Sequence, residues 1–193
     1  MDAKPIEIFY PKSPIAWRKW LEKNHVSKQA VWLVFYNKKS AKKSITWSES
    51  VDVALCFGWI DSKKVKIDEE TSHQYFSKRK PSSTWSKINK EKVQRLTEQG
   101  LMTAAGLKCV ETAKKNGSWS TLEEVDELKI PPDLQAALYR KPKANKFFLS
   151  LSNSSMKMIL TWILFAKTEE TRLKRIAEII DSAEQHLKPK HMR

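Results

Sequence analysis

Apolar residues change their spacing several times along this chain, and each change marks an element. In "SPIAWRKWLEKNH", Trp17, Trp20 and Leu21 recur at helical intervals, with Ser13 placed to cap and Pro14 at the first helical position. "QAVWLVFYN" is rich in β-branched and aromatic residues over one strand's length and predicts a strand at 30–37, with Trp32 part of an apolar strand and assigned to the core. A Lys- and Ser-rich loop follows at 38–44. Thr46 and Glu49 then stand in capping-box spacing before a helix that turns Val51, Ala54 and Leu55 inward and stops at Gly58. After the corner "GWID" comes an alternating strand with Lys63, Val65 and Ile67. "DEET" reads as a turn and "SHQYFSKRK" as the returning strand of a hairpin.

Helical patterns dominate the rest. Ser86 caps a helix carrying Ile88, Val93 and Leu96 to a stop at Gly100, and Thr103 opens another that runs to Asn116 before Gly117. Pro131-Pro132 opens a helix with Leu134, Ala137 and Leu138, and Ser152 caps one with Met156, Ile159, Leu160 and Ile163 inside. "TEETRLKRIAEIIDSAEQHL" has a 3.6-residue apolar period through Leu173, Ile176, Ile179, Ile180, Ala183 and Leu187, with Glu169 and Glu170 at the positive end of the helix dipole. The predicted class is α+β: a small antiparallel sheet of about three strands packed by helices, then a helical C-terminal part. The expected division is an α+β domain over 1–120 and a helical region over 121–193, whose basic tail 188–193 reads as disordered.

Composition narrows the class. A chain of 193 residues can bury about 70% of its unfolded surface, so it needs no disulfide or metal to hold it together. The opening "MDAKPIEIFYPKSPIAWRKW" lacks an apolar core of signal-peptide length, and "MILTWILFA" at 158–166 is too short to span a bilayer. A cytoplasmic protein without membrane insertion is expected. Cys56 and Cys109 lie in apolar helical contexts that suit small buried thiols.

The formal charge of +14 is unevenly spread, with 23 Lys and Arg against 12 acids in residues 1–120 and 13 against 10 beyond. Such a surplus attracts polyanions in general. Lys outnumbers Arg 29 to 7, which favours nonspecific attraction over two-pronged recognition.

Four segments together carry a resemblance: "VALCFGWID" (53–61), "KRKPSSTWSKIN" (78–89), "GLMTAAG" (100–106) and "FFLSLSNSSMKMILTWILFAKTEETRLKRI" (147–176). In this order they resemble the YdeI/OmpD-associated bacterial proteins, often labelled bacteriocin-protection proteins. The departures are small: Lys78 and Lys80 flank Arg79, and Ala104 stands where a proline is common. The resemblance implies a YdeI-like domain over 1–120, an OmpD-associated region over 121–193 and a role in tolerance to bacteriocins or similar stress. It implies no catalytic residues. Antimicrobial peptides are commonly cationic, so a protein of charge +14 is a poor direct sponge for them and any protection is expected to be indirect.

Candidate chemistry is sparse. The four His and two Cys show no metal-ligand spacing, and no nucleophile elbow, phosphate loop or dinucleotide fingerprint is present. No catalytic constellation, metal or cofactor is expected. "KRKPSSTWSKIN" is the most suggestive stretch, since a helix start beside cations is a natural anion pocket. Arg79, Lys80, Ser83, Trp85, Ser86 and Asn89 are its candidate ligands, with Trp85 and Trp119 the tryptophans freest to serve a guest. The alternative is that Pro81 and the serines shape a loop that Trp85 pins to the core. Asp61 either pairs with Arg79, as a ligand anchor or the carboxylate of a small-molecule enzyme, or accepts backbone N–H bonds at the corner; the latter is favoured. The partner classes left open are an anionic small molecule, an acidic partner and nonspecific nucleic acid.

Overall fold

Among the described residues, 5–193 of a computed structural model, four strands form one sheet. The first four residues of the stretch read as lacking a signal-peptide core lie outside them. Strands β1 (Ile8–Phe9), β2 (Ala30–Tyr36), β3 (Trp59–Lys66) and β4 (Thr71–Lys78) are ordered β1-β2-β4-β3. The sheet therefore has four strands, not the three expected, and it is mixed. β1 pairs parallel to β2, matching Ile8 with Trp32 and Phe9 with Leu33, and two residues are too few to show a period in sequence.

Helix α1 (Pro14–Asn24) is capped by Ser13, and α2 (Trp47–Cys56) by the Thr46–Glu49 box, as their sequences predict. Helices α3 (Lys87–Glu98) and α4 (Ala104–Lys115) start at the caps Ser86 and Thr103. All four helices share one core with one face of the sheet, where Val31, Leu33, Phe35 and Phe76 meet Trp17, Trp20, Leu55, Val93 and Val110. Ile88 does not join it; it lies on the solvent side of α3, 62% exposed.

Residues up to Thr121 form one compact unit and Leu122–Arg193 a second. The second is wholly helical: α5 (Glu123–Asp126), α6 (Pro132–Tyr139), α7 (Pro142–Leu149), α8 (Asn153–Leu164) and α9 (Glu169–Glu184). Its own core gathers Leu134, Leu138, Phe148, Ile159, Ile163, Ile176 and Ile179. Two expectations for α9 are corrected. Leu173 and Leu187 are exposed, and the helix closes at Gln185 because His186 takes a φ of +57° while Leu187 N–H reaches back to the Ser182 carbonyl at 2.9 Å. The tail also has structure: Lys190–Met192 form a 3-10 turn, Lys190 N–H donates to Glu178, and His191 packs on Trp162 at 4.0 Å.

α4 is held on the end of α2 by a close approach. Thr103 donates from both its N–H and its hydroxyl to the Cys56 carbonyl, and a Cβ on Gly106 would stand 2.3 Å from that same oxygen. Gly106→Ala is expected to cost about 1–3 kcal/mol in urea unfolding, the usual penalty of overpacking. A change within about 0.5 kcal/mol would show that α4 can retreat freely. In the second unit, Arg172 grips Asp133 through Nε at 2.5 Å and Nη2 at 2.9 Å. These bonds lead the causes that lower the Asp133 pKa below its ordinary 3.8, so the pair's contribution is present above that value and lost as pH falls through the lower one. With both side chains about a third exposed, Asp133→Asn is expected to cost at most about 1 kcal/mol at neutral pH. That gap should shrink in urea titrations below about pH 4; a pH-independent gap would contradict the linkage.

Candidate functional site

The corner at Gly58 builds the site. Its φ of +70° turns the chain from α2 directly into β3, so Trp59, Ile60 and Asp61 are strand residues and the corner is tighter than the sequence suggests. The Gly58 carbonyl accepts the backbone N–H of Arg79 at 2.9 Å, which docks the exit of β4 beside the entry of β3. A Cβ on Gly58 would meet Cys109 Cβ at 3.1 Å and the Ala105 carbonyl at 3.3 Å, so α4 lies directly on the corner.

These elements border an open cavity of about 340 Å³, at the small end of small-molecule pockets. Phe57, Trp59, Pro81 and Ala105 give it apolar walls, and His25, Lys78, Arg79, Lys108 and Cys109 also line it. Three cations border the space, and no carboxylate does.

Arg79 is 8% exposed. Its guanidinium lies 3.7 Å from the Trp85 ring centre, and Nη2 donates to the Thr84 carbonyl. No protein group meets Nε or Nη1, although both are buried. Among the described residues Arg79 makes no ion pair. Burial pushes its pKa down to about 10, with Cys109 and Asp61 pulling partly the other way, so it is a cation at neutral pH. Trp59 Nε1, fully buried, is also without a partner. The contrast with the two indoles of α1 is sharp, since Trp17 donates to the Ser50 carbonyl at 3.1 Å and Trp20 to Glu7 at 3.0 Å. Unmet buried donors are costly, and charged ones most of all. An anion accepting from them would remove that cost.

Cys109 is half-buried in the same wall, and burial pushes its thiol pKa up. A protonated thiol is a poor nucleophile. Among the described residues no group of three His, Cys, Asp or Glu side chains could hold a metal.

The site differs from the one expected at "STWSKIN". Of Arg79, Lys80, Ser83, Trp85, Ser86 and Asn89, Arg79 alone lines this cavity. Trp85 is fully buried, packed against Arg79 and, at a tilt of 44°, against Trp119, and not free for a guest. Ser86 caps its own helix, accepting from the Asn89 N–H, so the hydroxyl is spent on the helix start. Lys80 is exposed and Ser83 half-buried, away from the cavity wall. The bland alternative, a loop pinned by Trp85, describes Pro81–Ser86 better, and Asn116 and Ser118 fasten it by donating to the Pro81 carbonyl.

Asp61 is corrected too. It accepts from Trp47 Nε1 at 2.8 Å and Gln74 Nε2 at 3.3 Å, so side-chain donors hold it where backbone donors were expected. It does not line the cavity, and the Asp61–Arg79 pair on which an enzymatic reading depended is not assembled. His25, Phe57, Trp59, Lys108 and Cys109 line this cavity but carry no local signal that would mark them as doing so. "GWID" pointed to the corner, but nothing local announces that α4 would close over it.

Residues 9–109 match a family model described as "Domain of unknown function (DUF8412)", and residues 127–186 match one described as "Bacteriocin-protection, YdeI or OmpD-Associated". The chain belongs to the DUF8412 family and carries a YdeI or OmpD-associated domain. No curated protein and no solved structure matches it. All the cavity's lining residues but Thr112 thus lie within the DUF8412 match, as do the first three of the resembling segments, whereas the long segment 147–176 lies in the YdeI or OmpD-associated domain.

A cation retained without a partner predicts an unusual mutational sign. Arg79→Met, of similar length and without charge, is expected to leave the melting temperature unchanged or raise it, because it deletes two unmet donors. Loss of more than about 3 kcal/mol would make Arg79 a structural keystone instead.

Proposed function

We propose that the DUF8412 domain is a receptor for a small anionic molecule with an apolar body. A carboxylate or phosphate would reach the unmet N–H groups of Arg79, which the wall seals from solvent, by displacing part of that wall, while Phe57, Pro81 and Ala105 take the apolar part. The observation that carries the reading is the buried, unpaired guanidinium in the wall of an open cavity that contains cations and no acid. Arg suits this task because its planar fork binds carboxylate or phosphate through two parallel hydrogen bonds. The Arg79 backbone is tied to Gly58 and its plane is stacked on Trp85, so the fork is held before the guest arrives.

The family description concerns bacteriocin protection. We infer that any protective role of this chain works through the anionic ligand rather than by sequestering cationic peptides, which a net charge of +14 would repel. The expected setting is the cytoplasm, where small organic anions are plentiful; among the described residues no helix is long and apolar enough to cross a membrane.

Calorimetric titration with benzoate and phenyl phosphate, against benzyl alcohol as the uncharged counterpart, tests the reading. Binding of at least one anion is expected, with none of the alcohol and none of any probe to Arg79→Met. Arg79→Lys should retain only part of the affinity, since an ammonium cannot make the paired contact. Equal binding of the alcohol, or an Arg79→Met variant that binds as the parent does, would sink it.

A further inference from the structure

The sheet has a second face. Along β2 the residues Val31, Leu33 and Phe35 enter the core, so Trp32 points to the opposite side, together with its cross-strand partner Tyr75 and with His73. The assignment of Trp32 to the core is thereby overturned. Neither Trp32 nor Tyr75 belongs to either core cluster, and both remain partly exposed. Ile8 and Val65 on the flanking strands, paired with Trp32 and His73, are 59% and 41% exposed. All four helices of this unit contribute their buried residues to the core on the other face.

This open face is aromatic and basic at once. The Trp32 and Tyr75 rings are 5.0 Å apart, and His73 lies 6.4 Å from Trp32. Lys63 Nζ sits above both Trp32 and Tyr75, at 5.4 and 5.8 Å, and among the described residues it makes no ion pair. It stands on β3 where the register shifts between Asp61 and Lys64, and the irregularity aims it across the sheet. The acids at the margins are engaged by the protein itself: Glu7 with Lys28, Glu69 with Lys66, and Glu70 with the Ser40 hydroxyl. The surrounding residues 1–120 hold 23 cations against 12 acids.

We propose that this face binds single-stranded nucleic acid, stacking unpaired bases on Trp32 and Tyr75 while Lys63 swings from the rings to a phosphate. The chemistry selects that occupant. Every base has a π-face that an exposed ring can stack, the phosphate backbone answers the local surplus of positive charge, and a duplex keeps its base faces hidden. A four-stranded sheet spans roughly 15 Å across its strands, which suits about two or three bases. The surface is separate from the Arg79 cavity, and either can fail without the other.

The full-length chain would be titrated into a fluorescein-labelled oligothymidylate of about 15 nucleotides at about 50 mM salt, with fluorescence anisotropy as the readout and a duplex of equal length beside it. Preference for the single strand by about tenfold or more is expected. Trp32→Ala and Tyr75→Ala should each weaken it about tenfold, and Trp32→Phe should retain most of the affinity. Lys63→Gln should lower the slope of log K against log salt by about one phosphate, and Arg79→Met should bind as the parent does. If Trp32→Ala does not fold, Tyr75→Ala and Lys63→Gln decide. Absence of binding, equal affinity for duplex or heparin, or a folded Tyr75→Ala with parental affinity would overturn the proposal.

Discussion

The first unit depends on how closely helix α4 can approach the end of helix α2. Two glycines permit the approach. Gly106 leaves room for the Cys56 carbonyl, to which Thr103 donates twice, and Gly58 turns the chain under Cys109 while accepting the backbone N–H of Arg79. A methyl group at Gly106 would overlap a backbone oxygen, and one at Gly58 would need both a disfavoured φ and a crowded contact. Helix end, strand entry, strand exit and covering helix are therefore joined at one point. The cavity beside Arg79 is the space left where these parts meet.

That joint also explains how a charge comes to be buried without a partner. Arg79 is drawn inward by its backbone bond to Gly58 and held by Trp85 and the Thr84 carbonyl, while Asp61, whose charge acts on it, is occupied by Trp47 and Gln74. The arrangement is stable enough to persist because the apolar core around it is large, and it leaves two guanidinium donors and one indole donor unmet. The opposite face of the same sheet has the reverse character. There the aromatic rings are partly exposed and the cation Lys63 is on the surface. One sheet thus separates a confined cavity from an extended surface by the simple alternation of its strands.

Elements with strong local signatures were legible without coordinates. The caps at Ser13, Thr46, Ser86, Thr103 and Ser152 all form, because a hydroxyl three residues before an N–H acts within one turn and needs no tertiary help. The end of α9 was not legible, since His186 takes the left-handed turn that glycine usually signals. β1 was missed for the same kind of reason: it exists only because β2 offers it an edge. The candidate site was half legible. Arg79 was singled out for its charge beside a helix start, but the cavity it lines is bordered by Gly58, Cys109 and Pro81 and by none of Ser83, Trp85, Ser86 and Asn89. Ser86 and Trp85 were already committed to capping and stacking.

By itself, then, the order of residues determined the capped helices and their starts, the hairpin, the α+β class, the positive surplus and the family resemblance, because each of these is set by neighbours within a few positions or by composition, whereas the short helices α5 and α7 went unread. Only the tertiary structure decided which way Arg79 and Trp32 face and what remains unpaired around them. Those outcomes rest on residues far apart in sequence, Gly58 against Cys109 and Ile8 against Trp32, whose meeting is settled by packing the core as a whole.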